Sequence, residues 1–332
     1  MDGAVFEIMG SIVGAGFASG REIMHFFSRF GGFSWLLAFL AGACIGFLSY
    51  WIMRWEQRKA WYCRLPLFFL WIASAASMTA AAGELLALTV PIPGVRIPGG
   101  FLTLAFCLPA VKKEGSMMRP FSKVLLPLLI LAFLLALKTD GPGSSKASSA
   151  LEPMSLPGVL SYSGMNAMLS SAIIQEKGKD RNQKGKKTLA FSTGLLCVFL
   201  LFLGNAALLP HLDALIDAPL PMVVLLRNYG KTGFYLSALT LYFAVATTLM
   251  AALRSLRRSF LDLHWAWGFP LSLGAAALLS LGGFQTLVAV LYPLLGWISL
   301  ILFFLPAFLS GALKNHFFST CRKNRSSLFN SI

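Results

Sequence analysis

The residues most able to do chemistry lie near the start of the chain, in the stretch GSIVGAGFASGREIMHFF at residues 10–27. The stretch is apolar enough to enter a bilayer, yet it holds four glycines and the ionisable residues Arg21, Glu22 and His25. Glycine costs about 1 kcal/mol relative to alanine inside a helix, and unpaired main-chain groups are expensive in lipid. The pattern therefore predicts an interrupted membrane helix whose main-chain groups bind an ion or a solute.

The two ends of such an interruption would offer opposite partial charges. Amides at the start of the outer half-helix suit an anionic group, and carbonyls at the end of the inner half, around residues 10–13, suit a cation. The alternative is that the small residues only let helices pack closely. Packing does not require the adjacent ionisable pair, which favours binding. The predicted solute-binding residues of this stretch are Gly14, Ala15, Gly16, Phe17 and Ser19.

A second polar, glycine-containing stretch, GVLSYSGMNAMLSSA at residues 158–172, opens the second half of the chain. Transporters built from inverted repeats carry interruptions at corresponding positions of their two halves, and their substrates bind there. We therefore expect a second interruption in this stretch. Its predicted solute-binding residues are Tyr162, Ser163, Gly164 and Asn166.

Ionisable side chains within apolar segments usually mark a pathway or a proton relay. Arg21, Glu22, His25 and, in a later segment, Glu84 are the candidates for gating or proton coupling. Structural ion pairing or closeness to the membrane interface is the alternative for each carboxylate.

The composition places these stretches in a membrane protein. Of 332 residues, 57% are hydrophobic and only 12% are charged. The formal net charge of +15 would suggest a nucleic-acid partner in a soluble chain, but the cations lie between apolar runs, so no nucleic acid is expected.

Runs of about 20 apolar residues predict ten membrane spans, numbered 1 to 10 in chain order. They lie near residues 4–28, 33–53, 66–90, 97–111, 120–138, 156–175, 188–210, 233–253, 267–284 and 286–312.

The distribution of lysine and arginine predicts the orientation. With the N-terminus inside, the inward segments hold 21 cations and the outward segments six, in keeping with the enrichment of cytoplasmic loops. We expect a multi-pass protein of the bacterial cytoplasmic membrane with both termini cytoplasmic. Residues 1–138 form the first five-helix repeat, 139–157 an extracellular loop, 158–313 the second repeat and 314–332 a cytoplasmic tail. The outward segment around residues 211–230 predicts a helix at the interface or over the extracellular face.

Two resemblances extend this interpretation. VGAGFASGREI resembles the start of YkvI-type uncharacterised bacterial membrane proteins, and the five-plus-five plan resembles the LeuT fold of the amino acid, polyamine and organocation transporter superfamily. Sodium symporters of that fold carry G-x-x-V-G-x-G in helix 1 and A-x-x-T-S, or a similar pattern, in helix 8. The resemblance implies one sodium site, formed by Gly10, Val13, Ala244, Thr247 and Thr248. The alternative is that both threonines bond back to carbonyls of their own helix.

Together these features predict an all-α protein of two inverted repeats, with helices 1 and 6 broken. The expected function is ion-coupled symport of a small polar solute, an amino acid or a related zwitterion, by alternating access. A membrane sensor or scaffold of the same fold is the alternative. The sequence lacks H-E-x-x-H and P-loop motifs, so we expect no enzyme and no cofactor apart from bound sodium. The expected partners are the solute, sodium or protons, and the lipid bilayer.

Overall fold

All regular elements that the structure describes are helices. The structure, a computed structural model, describes residues 3–54, 61–90, 92–112, 118–139, 155–218 and 220–301, and no strand occurs within these ranges. Residues 140–154 of the predicted extracellular loop, the cytoplasmic tail and the end of span 10 lie outside the described residues, whereas residues 155–157 of the predicted loop are helical.

The described residues of the first half of the chain form seven α-helices. They are α1 (Gly3–Ile12), α2 (Ala15–Ala18), α3 (Arg21–Phe26), α4 (Ser34–Arg54), α5 (Trp61–Thr89), α6 (Arg96–Lys112) and α7 (Met118–Ala136). A 3₁₀ segment, Ser28–Phe33, joins α3 to α4.

The second half contributes eight more helices in the part of the chain that is described. They are α8 (Ser155–Leu169), α9 (Ser171–Gly178), α10 (Gln183–Leu208), α11 (Leu212–Leu215), α12 (Pro221–Leu226), α13 (Gly230–Asp262), α14 (Gly268–Ser280) and α15 (Phe284–Ser299).

Five helical segments among the described residues are long and apolar enough to cross a membrane. They are Ser28–Arg54, Leu67–Thr89, Met118–Ala136, Gln183–Leu215 and Pro221–Asp262. Each of the ten predicted spans contains helix, but the others are interrupted or shorter. The all-helical prediction is confirmed, whereas ten spans in two inverted repeats stay a prediction.

The outer faces of these helices are apolar. Phe39 and Phe47 on α4 are about half exposed, and Phe191 and Leu195 on α10 are more exposed still. Large contiguous apolar surfaces are rare on proteins that face water, so lipid is the solvent that suits these faces.

Helix α1 lies inside the bundle, where it packs against α7, α8, α9, α10 and α13. Its side chains Val5, Ile8, Met9 and Ile12 are almost completely buried. The chain therefore places its glycine-rich N-terminal segment at the centre of the fold, where an interruption would be shielded from lipid.

The segment between α10 and α13, which was predicted to face outward, packs over the first helices. Leu212 and Leu215 of α11, and Met222, Leu225 and Leu226 of α12, are buried. An interfacial helix would keep one face in the headgroup region. The burial agrees better with the predicted cap than with an interfacial helix.

Candidate functional site

The first interruption lies between α1 and α2, where Val13 and Gly14 leave the helical conformation. The Gly14 amide donates to the Ile12 carbonyl at 2.9 Å, so the Gly10 carbonyl lacks the donor that a continuous helix would supply. The amides of Ala15, Gly16 and Phe17 begin α2 without an acceptor among the described residues. The structure thus interrupts helix 1 within the predicted glycine stretch.

A second interruption follows six residues later at Gly20, between α2 and α3. Gly20 has a φ of 82°, in the left-handed region that favours glycine. The Ser19 carbonyl accepts from the Met222 amide of α12 at 2.8 Å, which replaces a bond within the helix. Arg21 donates from Nη1 to the carbonyls of Ile216 at 2.5 Å and Ala218 at 3.1 Å. The segment between α10 and α13, here called the cap, is therefore bonded to helix 1 beside this turn.

The glycines of the stretch have different neighbours. A Cβ at Gly14 would lie 3.6 Å from Thr248 Oγ1, in ordinary contact, whereas a Cβ at Gly16 would overlap the Glu22 carboxylate. A Cβ at Gly10 would overlap Ser122 on α7, so close packing also explains that glycine. Among the four glycines of this stretch, Gly16 is the one whose missing side chain makes room for an ionisable group, the Glu22 carboxylate.

Two of the predicted sodium residues, Val13 and Thr248, meet between α1 and α13. Thr248 Oγ1 donates to the Val13 carbonyl at 3.3 Å, across the interruption. Thr247 Oγ1 donates to the carbonyls of Phe243 at 2.9 Å and Ala244 at 3.0 Å in its own helix. Back-bonding therefore describes Thr247 but not Thr248. The contact between Thr248 Oγ1 and the Val13 carbonyl thus crosses between the helices, and it brings together two of the five predicted oxygen ligands.

Helix 6 differs from the prediction at the residues that were expected to break. α8 runs without interruption through residues 161–166, and helical structure is lost only at Ser170. Ser163 Oγ donates to Val159 at 2.8 Å, and Asn166 Nδ2 donates to Tyr162 at 3.0 Å, both within the helix. These side chains are satisfied without opening the main chain, which is why the helix continues.

The remaining predicted solute residues of this region lie against other helices. A Cβ at Gly164 would approach Leu300, and the Tyr162 ring lies 5.1 Å from that of Phe26. Phe17, predicted in the same site, is buried 6.4 Å from the ring of Phe133. These contacts place Tyr162 against α3 and Gly164 against the residue that follows α15.

The α8–α9 junction holds two residues that the predicted binding set omitted. Ser170 and Ser171 are fully buried, and neither hydroxyl has a partner among the described residues. The α1 and α13 helices pack against α9, the helix that begins at this junction. Their position at the end of a polar stretch was the available sequence signal.

The four gating candidates separate into different environments. Glu22 is 2% exposed and fully inside the bundle, whereas His25 is exposed and stacks edge-on against Phe26 at 4.9 Å. Glu84 pairs with Arg96 at 2.5 Å, and both side chains are partly exposed. The geometry therefore favours structural pairing for Glu84, and Glu22 is the buried carboxylate of this group without an ion pair among the described residues.

An ion-pair network at the opposite end of helix 1 was not predicted. Glu7 Oε1 accepts from Arg119 Nε at 2.8 Å, and Glu7 Oε2 lies 2.6 Å from Lys177 Nζ. Glu176, next in sequence to Lys177, lies 2.8 Å from Arg254 of α13. The network joins α1, α7, α9 and α13. Its cations were interpreted only as markers of orientation, although Glu7 is an acidic residue inside span 1.

These features define a class of protein. Apolar outer faces, several helices able to span a bilayer and an interrupted helix inside the bundle are those of a multi-pass helical membrane protein.

Comparison with known proteins agrees with that class. No protein-family model matches the sequence. The chain is 24% identical over 328 residues to "Uncharacterized membrane protein YkvI" of Bacillus subtilis (strain 168), covering 89% of this chain and 92% of that protein. It is also 24% identical over 320 residues to "Uncharacterized protein YyaD" of the same organism, with 89% and 92% covered. The resemblance to YkvI-type membrane proteins is thus confirmed as a distant similarity along most of the chain.

Proposed function

We propose that the protein is an ion-coupled symporter of a small polar solute, an amino acid or a related zwitterion, which works by alternating access. It would reside in the bacterial cytoplasmic membrane with both termini cytoplasmic. Its ten spans would form two inverted five-helix repeats over residues 1–138 and 158–313. The observation that carries the proposal is the contact between the interrupted helix 1 and α13, from Thr248 Oγ1 to the Val13 carbonyl.

The solute would bind where main-chain groups are left without helical partners. The amides of Ala15, Gly16 and Phe17 suit a carboxylate, and the hydroxyls of Ser170 and Ser171 supply further polar contacts. This assignment keeps the solute-binding residues predicted in helix 1. In helix 6 it replaces residues 162–166 by Ser170 and Ser171, which lie one to two turns further along the chain.

The co-transported cation would be sodium, held by oxygens alone. Carbonyls of Gly10, Val13 and Ala244 together with the hydroxyls of Thr247 and Thr248 supply five oxygen ligands without a carboxylate. Bound sodium would join α1 to α13 and so favour one position of the inner half-helix. This is how the ion and the solute would be coupled.

Contacts at both ends of helix 1 suggest how access alternates. At the outer end Arg21 holds the Ile216 and Ala218 carbonyls, and at the inner end Glu7 pairs with Lys177 and Arg119. Release of the first set would open the site outward, and release of the second would open it inward. A structure with both sets formed corresponds to a closed intermediate of such a cycle.

Uptake by purified protein in liposomes tests the proposal. Amino acids are screened with and without a sodium gradient, and counterflow of labelled solute separates a transporter from a sensor that only binds. We expect sodium-dependent uptake of at least one amino acid. Uptake and counterflow that are absent for all tested solutes, with sodium-independent thermal stability, would contradict the proposal.

A matched pair of threonine variants tests the sodium site. Thr248→Val removes the hydroxyl that reaches Val13, whereas Thr240→Val removes a buried hydroxyl of the same helix that bonds only to Leu236 at 2.8 Å. Loss of one ligand contact worth about 1.5 kcal/mol raises the half-saturating sodium concentration roughly tenfold. We expect that increase for Thr248→Val and no change for Thr240→Val. Equal effects of the two substitutions on the half-saturating sodium concentration would show that Thr248 is not a sodium ligand.

A further inference from the structure

Glu22 has a buried carboxyl group that is not among the proposed sodium ligands. We infer that Glu22 binds a proton in the closed conformation and exchanges it with solution when helix 1 opens. The site is separate from the threonine ligands, and its role in coupling depends on the proposed symport. A proton is the ligand for which the observed geometry has room.

The first argument is burial without a counter-ion. Glu22 is 2% exposed, and its Oε2 has no hydrogen-bond partner among the described residues. A buried ionised carboxylate without a partner costs several kcal/mol, whereas a neutral acid that lacks one hydrogen bond costs about 1–3 kcal/mol. Protonation is therefore the less costly state of Glu22 in this conformation.

The second argument is that nearby cations point elsewhere. The Arg21 guanidinium binds the carbonyls of Ile216 and Ala218, and adjacent helical side chains do not face each other. His25 is exposed, and Arg29, in the following 3₁₀ segment, lies over the Phe30 ring at 4.6 Å. No cation on the same element neutralises Glu22.

The elements that pack most extensively against α3 are α2, α8, α10 and the segment Ser28–Phe33, whose cation Arg29 lies over Phe30. Neither α2 nor α8 contains an ionisable acid or base, apart from the weakly acidic Tyr162. The lysines of α10 lie at its N-terminal end, whereas α10 contacts α3 near its other end, where Gly204 lies against Ile23. Asp217, within the cap that holds Arg21, is exposed and carries the same charge as an ionised Glu22.

The third argument is the space around the carboxyl group. Glu22 lies so close to Gly16 that a Cβ at that position would overlap it. An ammonium group would need to be inserted into this contact, but a proton occupies no additional volume. Gly16 thus positions the acid against the main chain of the predicted solute site.

The coupling follows from the position of Glu22 beside Arg21. When Arg21 leaves the Ile216 and Ala218 carbonyls, α3 loses its attachment to the cap and Glu22 becomes accessible to solution. The carboxylic acid then dissociates to a carboxylate and a proton. Closure requires the reverse step, because the ionised group is too costly to bury. Each closure from the outer side would therefore take up one proton.

Infrared spectroscopy of the protein in lipid nanodiscs detects this proton without a known solute. At neutral pH we expect the carbonyl stretch of a protonated carboxylic acid in the wild-type protein, shifted by ¹³C-labelled glutamate. Glu22→Gln should remove the band, and Asp180→Asn, which changes an exposed carboxylate, should leave it. The isotope shift identifies glutamate even if a variant does not fold. A missing band, or one that persists in Glu22→Gln, overturns the protonation of Glu22.

A transport experiment separates this inference from the proposed function. With an amino acid that the uptake screen identifies, an inward proton gradient should drive accumulation in the wild-type protein and in Asp180→Asn, which changes an exposed carboxylate, but not in Glu22→Gln. If the infrared band is present but the gradient drives no uptake in the wild-type protein, Glu22 is protonated without being coupled. If no solute is transported, the symporter is wrong and the infrared result alone decides the proton site.

Discussion

Spans 1 and 6 resemble each other in sequence but differ in structure. Both are polar and contain glycine, yet span 1 is interrupted at residues 13–14 and again at Gly20, whereas span 6 continues through residues 161–166 and pauses only at Ser170. In span 6 the side chains of Ser163 and Asn166 bond to carbonyls of their own helix. In span 1 glycines offer no such side chain, and α12, α13 and the cap provide the replacement partners.

The comparison shows which sequence feature predicts an interruption. Polar content alone is insufficient, because serine and asparagine can satisfy themselves on a continuous helix. Closely spaced glycines next to ionisable residues are more informative, since they lower helix stability and also admit a neighbouring side chain or main chain. The following substitutions test this difference, beginning with the one of largest expected effect.

Gly16→Ala and Gly14→Ala are a matched pair within span 1. The added methyl group at Gly16 would overlap Glu22, and overpacking of this kind costs about 1–3 kcal/mol. At Gly14 the methyl group would make ordinary contacts in an extended conformation, with φ −87° and ψ −173°, so we expect a change of less than about 0.5 kcal/mol. Reversible unfolding in detergent measures both. Equal losses would mean that the two glycines serve the same purpose.

Lys177→Met removes the ion pair that joins span 6 to span 1. Lys177 Nζ lies 2.6 Å from Glu7, whose side chain is 2% exposed, so the loss should cost about 2 kcal/mol. Lys179→Met changes an exposed lysine nearby and should be close to neutral. Thermal unfolding compares the two variants, and Lys177→Arg should restore most of the stability. A loss no greater than that of Lys179→Met would show that the two spans are not joined by this pair.

Serine substitutions within span 6 should have the smallest effects on stability, and only some of them should change transport. Ser163→Ala loses a bond to Val159 and should cost about 1 kcal/mol without changing solute affinity. Ser170→Ala and Ser171→Ala lose no partner among the described residues, so their stability should change by less than about 0.5 kcal/mol. If these hydroxyls bind solute, the half-saturating concentration should rise roughly five- to tenfold. Unchanged uptake in both variants would exclude the junction from the site.

Much of the architecture could be predicted from the sequence. Every predicted span contains helix among the described residues, and the G-x-x-V-G-x-G spacing of residues 10–16 located the interruption of helix 1 because glycine has a local conformational cost that needs no knowledge of neighbours. The burial of Glu22 and the pairing of Glu7 with Lys177 could not be predicted, because each depends on helices that are distant in sequence.

The sequence by itself determined that the chain is helical, suited to lipid and weakened at residues 10–20, since apolar length and glycine content act locally. Tertiary packing decided which polar groups of span 6 needed partners, which threonine reached across to Val13, and which carboxylate was left without a cation. The physical reason is that the free energy of a polar group in a low-dielectric interior depends on whether a partner lies within hydrogen-bond distance, and only the folded chain sets that distance.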